Sequence, residues 1–181
     1  VIKRFAPAGA ALLLDSRKIR KGDVFFAVKG VHTDGRAFIE KACGAGASCV
    51  VAEKGDIGPC SVPVIEIDNL YRALGPIAAA YYGNSTAQMI GIAVTGTNGK
   101  TTTANWIADL MNRLGTPCAS IGTLGCTLNG IVLPSVSMTT PDPLTLQAKF
   151  AELLSRGCKA FAMEASSIGL EQGRLDGTEI K

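Results

Sequence analysis

Apolar residues along this chain fall into short unbroken runs separated by stripes of helical spacing. Asp23–Lys29 (DVFFAVK) and Ser48–Ala52 (SCVVA) are apolar runs of strand length. Val62–Ile67 (VPVIEI) reads as a further strand. The stretch from Arg36 to Ala45 predicts a helix. So does Asn69 to Tyr82, where Leu70, Leu74, Ile77 and Tyr81 recur every three to four residues. Asn84–Gln88 (NSTAQ) is polar and predicts a linker. Next come a buried strand, Met89–Thr95 (MIGIAVT), a glycine turn, and a helix with Ile107, Leu110, Met111 and Leu114 expected on its inner face. Gly115 is its stop signal. Cys118–Ile121 predicts a strand, Leu128-Asn-Gly-Ile131 a hairpin turn, Pro143–Arg156 an amphipathic helix, and Lys159–Glu164 a strand.

Strands alternating with helices predict an α/β fold with a mostly parallel sheet. Two regions are expected: residues 1–88, a small α/β domain, and 89–181, the first part of a second, mostly parallel sheet domain. Core strand positions are expected at Val50, Val51, Ile90, Ile92, Val94, Phe161 and Met163. The second region offers only two or three strand–helix units before Gly177-Thr-Glu-Ile-Lys181, which reads as the start of another strand. With no initiator Met either, the expectation is a fragment of a longer protein.

Composition narrows the function classes. The 181 residues are 47% hydrophobic and 18% charged, a globular and soluble balance. The net charge of +3 is scattered, which argues against a nucleic-acid surface. No apolar run approaches the ~18 residues of a membrane span. Six cysteines, at 43, 49, 60, 118, 126 and 158, include no C-x-x-C, and the single His32 stands apart from them. They read as reduced thiols of a cytoplasmic protein rather than as a metal or disulfide framework.

The candidate chemistry begins in VTGTNGKTTTANWIADL, Val94–Leu110. The usual phosphate-loop pattern has glycine five residues before Gly99, where Val94 stands. The physical requirements are nevertheless met. After a buried strand, the N–H groups of a glycine turn can curl round a phosphate, with the positive end of the helix dipole beside them. Gly96 and Gly99 permit close approach, Lys100 can reach the outer phosphates, and the Thr101 hydroxyl can ligate Mg²⁺. The plain alternative is a helix N-cap of Thr and Asn with a surface lysine. Glu164 ends an apolar strand, the place where doubly wound sheets put ligands, and its carboxylate could hold Mg²⁺ or merely form a salt bridge. Ser166, Ser167, Gln172 and Arg174 follow closely. Met138-Thr-Thr-Pro-Asp-Pro143 reads as a helix start with Asp142 as cap.

Taken together these residues resemble the Mur ligases, the ATP-dependent amide-bond-forming enzymes of peptidoglycan synthesis, and the MurE type in particular. Gly96-Thr-Asn-Gly-Lys-Thr-Thr102 is similar to the short phosphate loop shared across the superfamily. Leu14-Asp-Ser-Arg17, Gly22-Asp-Val-Phe-Phe-Ala-Val-Lys-Gly30 and Asp34-Gly-Arg36 resemble the UDP-binding first domain of MurE and MurF. Thr139-Thr-Pro-Asp142, Met163-Glu-Ala-Ser-Ser167 and Gln172-Gly-Arg174 are similar to MurE rather than MurF.

The resemblance implies ATP phosphates on Gly96, Thr97, Asn98, Gly99, Lys100, Thr101 and Thr102, with Mg²⁺ near Thr101 and Glu164. Lys100 and Glu164 are the implied catalytic residues. Uridine contacts are implied for Leu14, Ser16, Val31, His32 and Thr33, and muramoyl-dipeptide contacts for Thr139, Thr140, Ser166, Gln172 and Arg174. The implied partners are UDP-MurNAc-L-Ala-D-Glu, ATP and a diamino acid, in a monomer acting in the cytoplasm, with no nucleic acid or membrane. The implied reaction phosphorylates the D-glutamate carboxylate and lets an amine attack the acyl phosphate. This chain alone is expected to be inactive, since the family's carbamylated lysine and C-terminal domain would lie beyond Lys181. One departure is visible: many relatives carry histidine where Ile168 stands. A MurF-type ligase adding D-alanyl-D-alanine and a non-catalytic UDP-sugar-binding module are the competing readings.

Overall fold

Four short parallel strands build the first sheet, in spatial order β1 (Leu12–Leu13), β2 (Val24–Ala27), β3 (Cys49–Glu53) and β4 (Val64–Ile67). They belong to a computed structural model that describes residues 1–30, 33–133 and 139–181. Phe25 pairs with Val50 and Phe26 with Val51, and all four are buried, as their unbroken apolar runs require. The helix expected from Arg36 opens as a 3₁₀ turn over Gly35–Phe38, capped by Asp34, and becomes regular only over α1 (Ile39–Gly44). Ile39 and Ala42 seal this core against Phe25, Ala27, Val50 and Ala52.

α2 spans Leu70–Tyr81. Its first N–H groups are held from a distance: the Glu53 carboxylate, at the end of β3, accepts from Asn69 N (2.8 Å) and Leu70 N (3.0 Å). Such a charge-assisted cap suits the positive end of a helix. The chain divides into two compact units, Val1–Leu74 and Gly75–Lys181, so the division falls inside α2 and the sequence reading placed it at 88/89.

In the second unit the stretch expected as a linker is a 3₁₀ turn, Ser85–Gln88, with Ser85 and Thr86 buried. Their polarity misled because both hydroxyls are paired with backbone: Ser85 Oγ donates to Tyr82 O (3.2 Å), and Thr86 Oγ1 accepts from Glu179 N (3.1 Å). The sheet that follows has spatial order β5 (Ile90–Val94), β9 (Ala160–Glu164), β6 (Cys118–Gly122), β7 (Gly125–Leu128) and β8 (Ile131–Leu133). β5, β9 and β6 run parallel; β7 and β8 return antiparallel. Asn129 (φ 51°) and Gly130 (φ 76°) make their turn, the left-handed pair a tight hairpin needs.

The helices are α3 (Lys100–Arg113), α4 (Pro143–Ser155) and α5 (Ser167–Glu171). The inner face of α3 differs from expectation. Ala104 and Ala108 are its buried residues, with Ile107 and Met111 flanking them, while Leu110 and Leu114 are exposed. Two alanines let the helix lie close on Cys118, Ala160 and Ala162, and closeness outweighs side-chain size there. Phe161 and Met163 on β9, which is flanked by β5 and β6, are fully buried. Ile90 is 45% exposed, and Ile92 and Val94 are half-buried, because β5 lies at the sheet edge. Residues 178–181 form no strand, although Lys181 N donates to Gly91 O on β5 (2.9 Å). Among the described residues no helix is long and apolar enough to cross a membrane.

Candidate active site

β5 leads directly into the exposed turn Thr95–Gly99 and then α3. Gly96 (φ 142°) and Gly99 (φ 80°) hold backbone that side-chain-bearing residues rarely adopt. Gly99 is also the N-cap of α3, and no side chain caps that end, whereas Asp142 caps α4 and Ser166 caps α5. The first-turn N–H groups therefore remain available to an anion. The Lys100 ammonium folds back over the turn, donating to Gly96 O (2.6 Å) and Thr97 O (3.3 Å).

Glu164 lies at the carboxyl end of β9, only 2% exposed. Its Oε1 accepts from Thr101 Oγ1 (2.9 Å) and from Thr123 N (2.8 Å), and Thr123 Oγ1 is 3.4 Å from Oε2. Gly122 makes room for it: a Cβ there would stand 2.6 Å from Glu164 Cδ. Thr123 Oγ1 continues the chain to Thr139 Oγ1 (3.0 Å). Thr140 Oγ1 donates to Glu164 O (3.1 Å) and accepts from Ser166 N (3.1 Å), with Ser166 Oγ also 3.1 Å away. The Arg174 guanidinium donates to Thr140 O (2.7 Å) and, through Nε and Nη2, to Gln172 Oε1 (2.9 and 2.7 Å).

One end of the sheet thus gathers Lys100, Thr101, Glu164, Thr139, Thr140, Ser166, Gln172 and Arg174. Parallel strands β5, β9 and β6 deliver it, as ligand sites in such sheets are delivered. Ile168 is 59% exposed and brings no ligating atom. Sequence reasoning missed Gly122 and Thr123. The signal was present, since Thr123 is a polar residue directly after an apolar strand, the same rule that picked out Glu164. Oxygen ligands from Thr101 and Glu164 fit a hard cation such as Mg²⁺. The described residues contain no group of three His, Cys, Asp or Glu side chains able to hold a metal alone, so such a cation would complete its shell with phosphate oxygens and water.

The first unit carries Leu14, Ser16 and Thr33, which follow β1 and β2 in the chain. Leu14 is partly exposed and Ser16 buried; Asp15 between them caps a 3₁₀ turn and is gripped by Arg17 Nε and Nη2 (both 2.9 Å). That hydrogen-bonded guanidinium holds the Asp15 carboxyl down to about 2. Thr33 is exposed, its carbonyl accepting from Gly30 N (3.0 Å); Val31 and His32 fall outside the described residues. Gly35 packs directly on the backbone that follows β2, because a Cβ there would lie 2.8 Å from both Val28 N and O. Arg36 pairs with Asp34 (2.6 Å) and keeps that carboxyl below its ordinary range. Together they line a cleft of about 540 Å³ with Glu40, Asp56 and Pro59.

Two family models match the chain: the Mur ligase middle domain over residues 94–181, and the Mur ligase family catalytic domain over residues 10–82. A UDP-N-acetylmuramoyl-L-alanyl-D-glutamate–2,6-diaminopimelate ligase from Ralstonia nicotianae is 45% identical over 191 residues, covering 99% of this chain and 36% of that protein. The ligase of the same name from Coxiella burnetii is 43% identical over 173 residues, covering 94% and 35%. Among solved structures, a ligase of that name superposes with a TM-score of 0.78 at 33% identity, covering 94% of this chain and 34% of its own. MurF from Acinetobacter baumannii gives 0.63 at 25%, covering 87% and 30%. MurF from Thermotoga maritima, solved in complex with ADP, gives 0.59 at 23%, a likeness of fold, covering 87% and 32%. The chain spans about a third of the length of the relatives it matches.

Proposed function

The chain belongs to the Mur ligase family, and on that premise we propose that its parent protein is an ATP-dependent, MurE-type ligase. It joins a diamino acid, meso-diaminopimelate, to the D-glutamate of UDP-MurNAc-L-Ala-D-Glu. The observation that carries this reading is the chain of contacts Thr101–Glu164–Thr123–Thr139. It runs from a phosphate-loop helix to the threonine turn at a single sheet end. The names of the relatives at 43–45% identity agree with it, and so does the higher TM-score of the diaminopimelate ligase over MurF.

In this reading the loop amides from Gly96 to Thr102 receive the ATP phosphates. Lys100 exchanges its two carbonyl partners for phosphate oxygens, so its charge becomes available where the phosphates lie. Thr101 and Glu164 hold Mg²⁺, which supplies neutralisation of the charge that develops on the transferring phosphoryl group. Arg174, Gln172, Ser166, Thr139 and Thr140 hold the peptide so that its terminal carboxylate faces the γ-phosphate. Leu14, Ser16 and the loop of Val31, His32 and Thr33 hold the uridine.

A carboxylate oxygen attacks phosphorus, ADP leaves, and the amine of the diamino acid then displaces phosphate from the acyl carbon and gives up a proton. No side-chain nucleophile is required: positioning and charge neutralisation suffice. ATP and a nucleotide-linked sugar as substrates place the work in the cytoplasm.

The test uses the full-length parent and follows phosphate release from Mg-ATP with UDP-MurNAc-L-Ala-D-Glu, adding meso-diaminopimelate or L-lysine. Release that needs the dipeptide and meso-diaminopimelate is expected. Release only with the UDP-linked tripeptide and D-Ala-D-Ala would move the assignment to MurF, and release with neither substrate pair would overturn a ligase.

A further inference from the structure

We propose that Thr123 is a positioning residue that fixes Glu164 and Thr139 relative to one another, coupling the cation end of the site to the peptide end. This rests on the reading above, in which Glu164 serves the cation and Thr139 the peptide. Among the described residues, Thr123 reaches both oxygens of Glu164: its N–H donates to Oε1 (2.8 Å) and its hydroxyl lies 3.4 Å from Oε2. The same hydroxyl is 3.0 Å from Thr139 Oγ1.

A hydroxyl carries one proton. In the coupled arrangement the proton of Thr123 goes to Glu164, whose carboxylate oxygen can only accept, and the Thr123 oxygen accepts from Thr139. The Thr139 hydroxyl is thereby oriented, its remaining lone pairs directed away from Thr123. Gly122 removes the alternative of letting Glu164 swing, since the carboxylate is packed directly on that glycine. Thr140 grips the Glu164 carbonyl from the same turn (3.1 Å), so Thr139 and Thr140 bracket Glu164 from side chain and backbone. A residue that only closed the β6–β7 turn would need none of the contacts to Thr139.

The test compares Thr123→Val, Thr123→Ser, Thr139→Val and the Thr123→Val/Thr139→Val double variant in the full-length parent. It measures KM for UDP-MurNAc-L-Ala-D-Glu, kcat, and Mn²⁺ affinity in the presence of ADP by electron paramagnetic resonance. Valine keeps the shape and the backbone N–H while deleting the hydroxyl. Thr123→Val is expected to raise KM and weaken Mn²⁺ binding by about tenfold each, the loss of one hydrogen bond in a charged network. Thr123→Ser should restore both to within about twofold, and the double variant should bind the dipeptide no worse than Thr139→Val alone.

Unchanged KM and Mn²⁺ affinity in Thr123→Val, or effects that add in the double variant, would overturn the coupling. If Thr123→Val does not fold, Thr123→Ala is read against the same outcomes. Thr139→Val with a normal KM would sink the peptide role of Thr139 and the coupling with it. A raised KM in Thr139→Val beside a normal Thr123→Val would sink the coupling alone.

Discussion

Replacing Gly122 with alanine probes the tightest point of the site. Its φ lies outside the left-handed region, so alanine can adopt the backbone and only the added methyl matters. That Cβ would stand 2.6 Å from Glu164 Cδ and 2.7 Å from Cγ, where carbon atoms prefer about 3.5–4.0 Å. The end of the glutamate must therefore move by about 1 Å. Bonds now at 2.9 Å to Thr101 and 2.8 Å to Thr123 N would stretch past hydrogen-bonding range.

Overpacking costs about 1–3 kcal/mol, and hydrogen bonds to a charged group contribute about 1.5–3 kcal/mol each. Water recovers part of the latter if the carboxylate swings outward, so about 2–4 kcal/mol is expected. That corresponds to a fall of roughly 10–20 °C in the melting temperature of the second unit. Thermal unfolding by circular dichroism measures it. Gly44→Ala in α1, where an added Cβ meets nothing within 4 Å, is the control and should stabilise by about 0.4–1 kcal/mol or do nothing. A Gly122→Ala protein melting within about 2 °C of the parent would refute the claim that Glu164 is held by this packing.

Lys100→Ala in the full-length parent should lower kcat by at least about 10²–10³-fold and leave the melting temperature unchanged, because among the described residues the lysine donates to its own loop; normal turnover would remove the loop from the mechanism. Burial pushes the Cys118 thiol up to about 12 and the Cys126 thiol to about 11, and raises Cys49 and Cys158 as well. Those four should resist an aromatic disulfide reagent at pH 8 until the protein unfolds, so more than two fast equivalents would contradict the packing. Asp15, held at about 2 against an ordinary 3.8, contributes stability that is present above pH ~4 and lost as pH falls toward 2. The contribution is at most about 1 kcal/mol, because Arg17 is largely exposed. Urea midpoints at pH 5 and pH 2.5 should differ less in Asp15→Asn than in the parent.

Continuous apolar runs such as VFFA and CVVA are legible because they are short and rich in Val and Phe, as buried strands are, and the glycine turn was legible because phosphate chemistry constrains its spacing. The inner face of α3 was not. Periodicity favours the largest apolar side chains, Leu110 and Leu114, while the sheet selects the smallest, Ala104 and Ala108, for closeness. Ser85 and Thr86 were misplaced for a related reason: their polarity is cancelled by backbone partners that a local pattern does not contain. Thr123 and Gly122 owe their importance to a glutamate 41 residues away in the chain, and only the pairing of β6 with β9 brings it there.

The most direct test of the account is the fate of the carboxylate oxygen. UDP-MurNAc-L-Ala-D-Glu carrying ¹⁸O in its terminal carboxylate would be turned over by the full-length parent with Mg-ATP and meso-diaminopimelate, and the released phosphate examined by mass spectrometry. One ¹⁸O in each phosphate is the expected result, because an acyl phosphate must hand one carboxylate oxygen to phosphorus. Phosphate free of label, with amide still formed, would contradict the acyl-phosphate reaction assigned to this site.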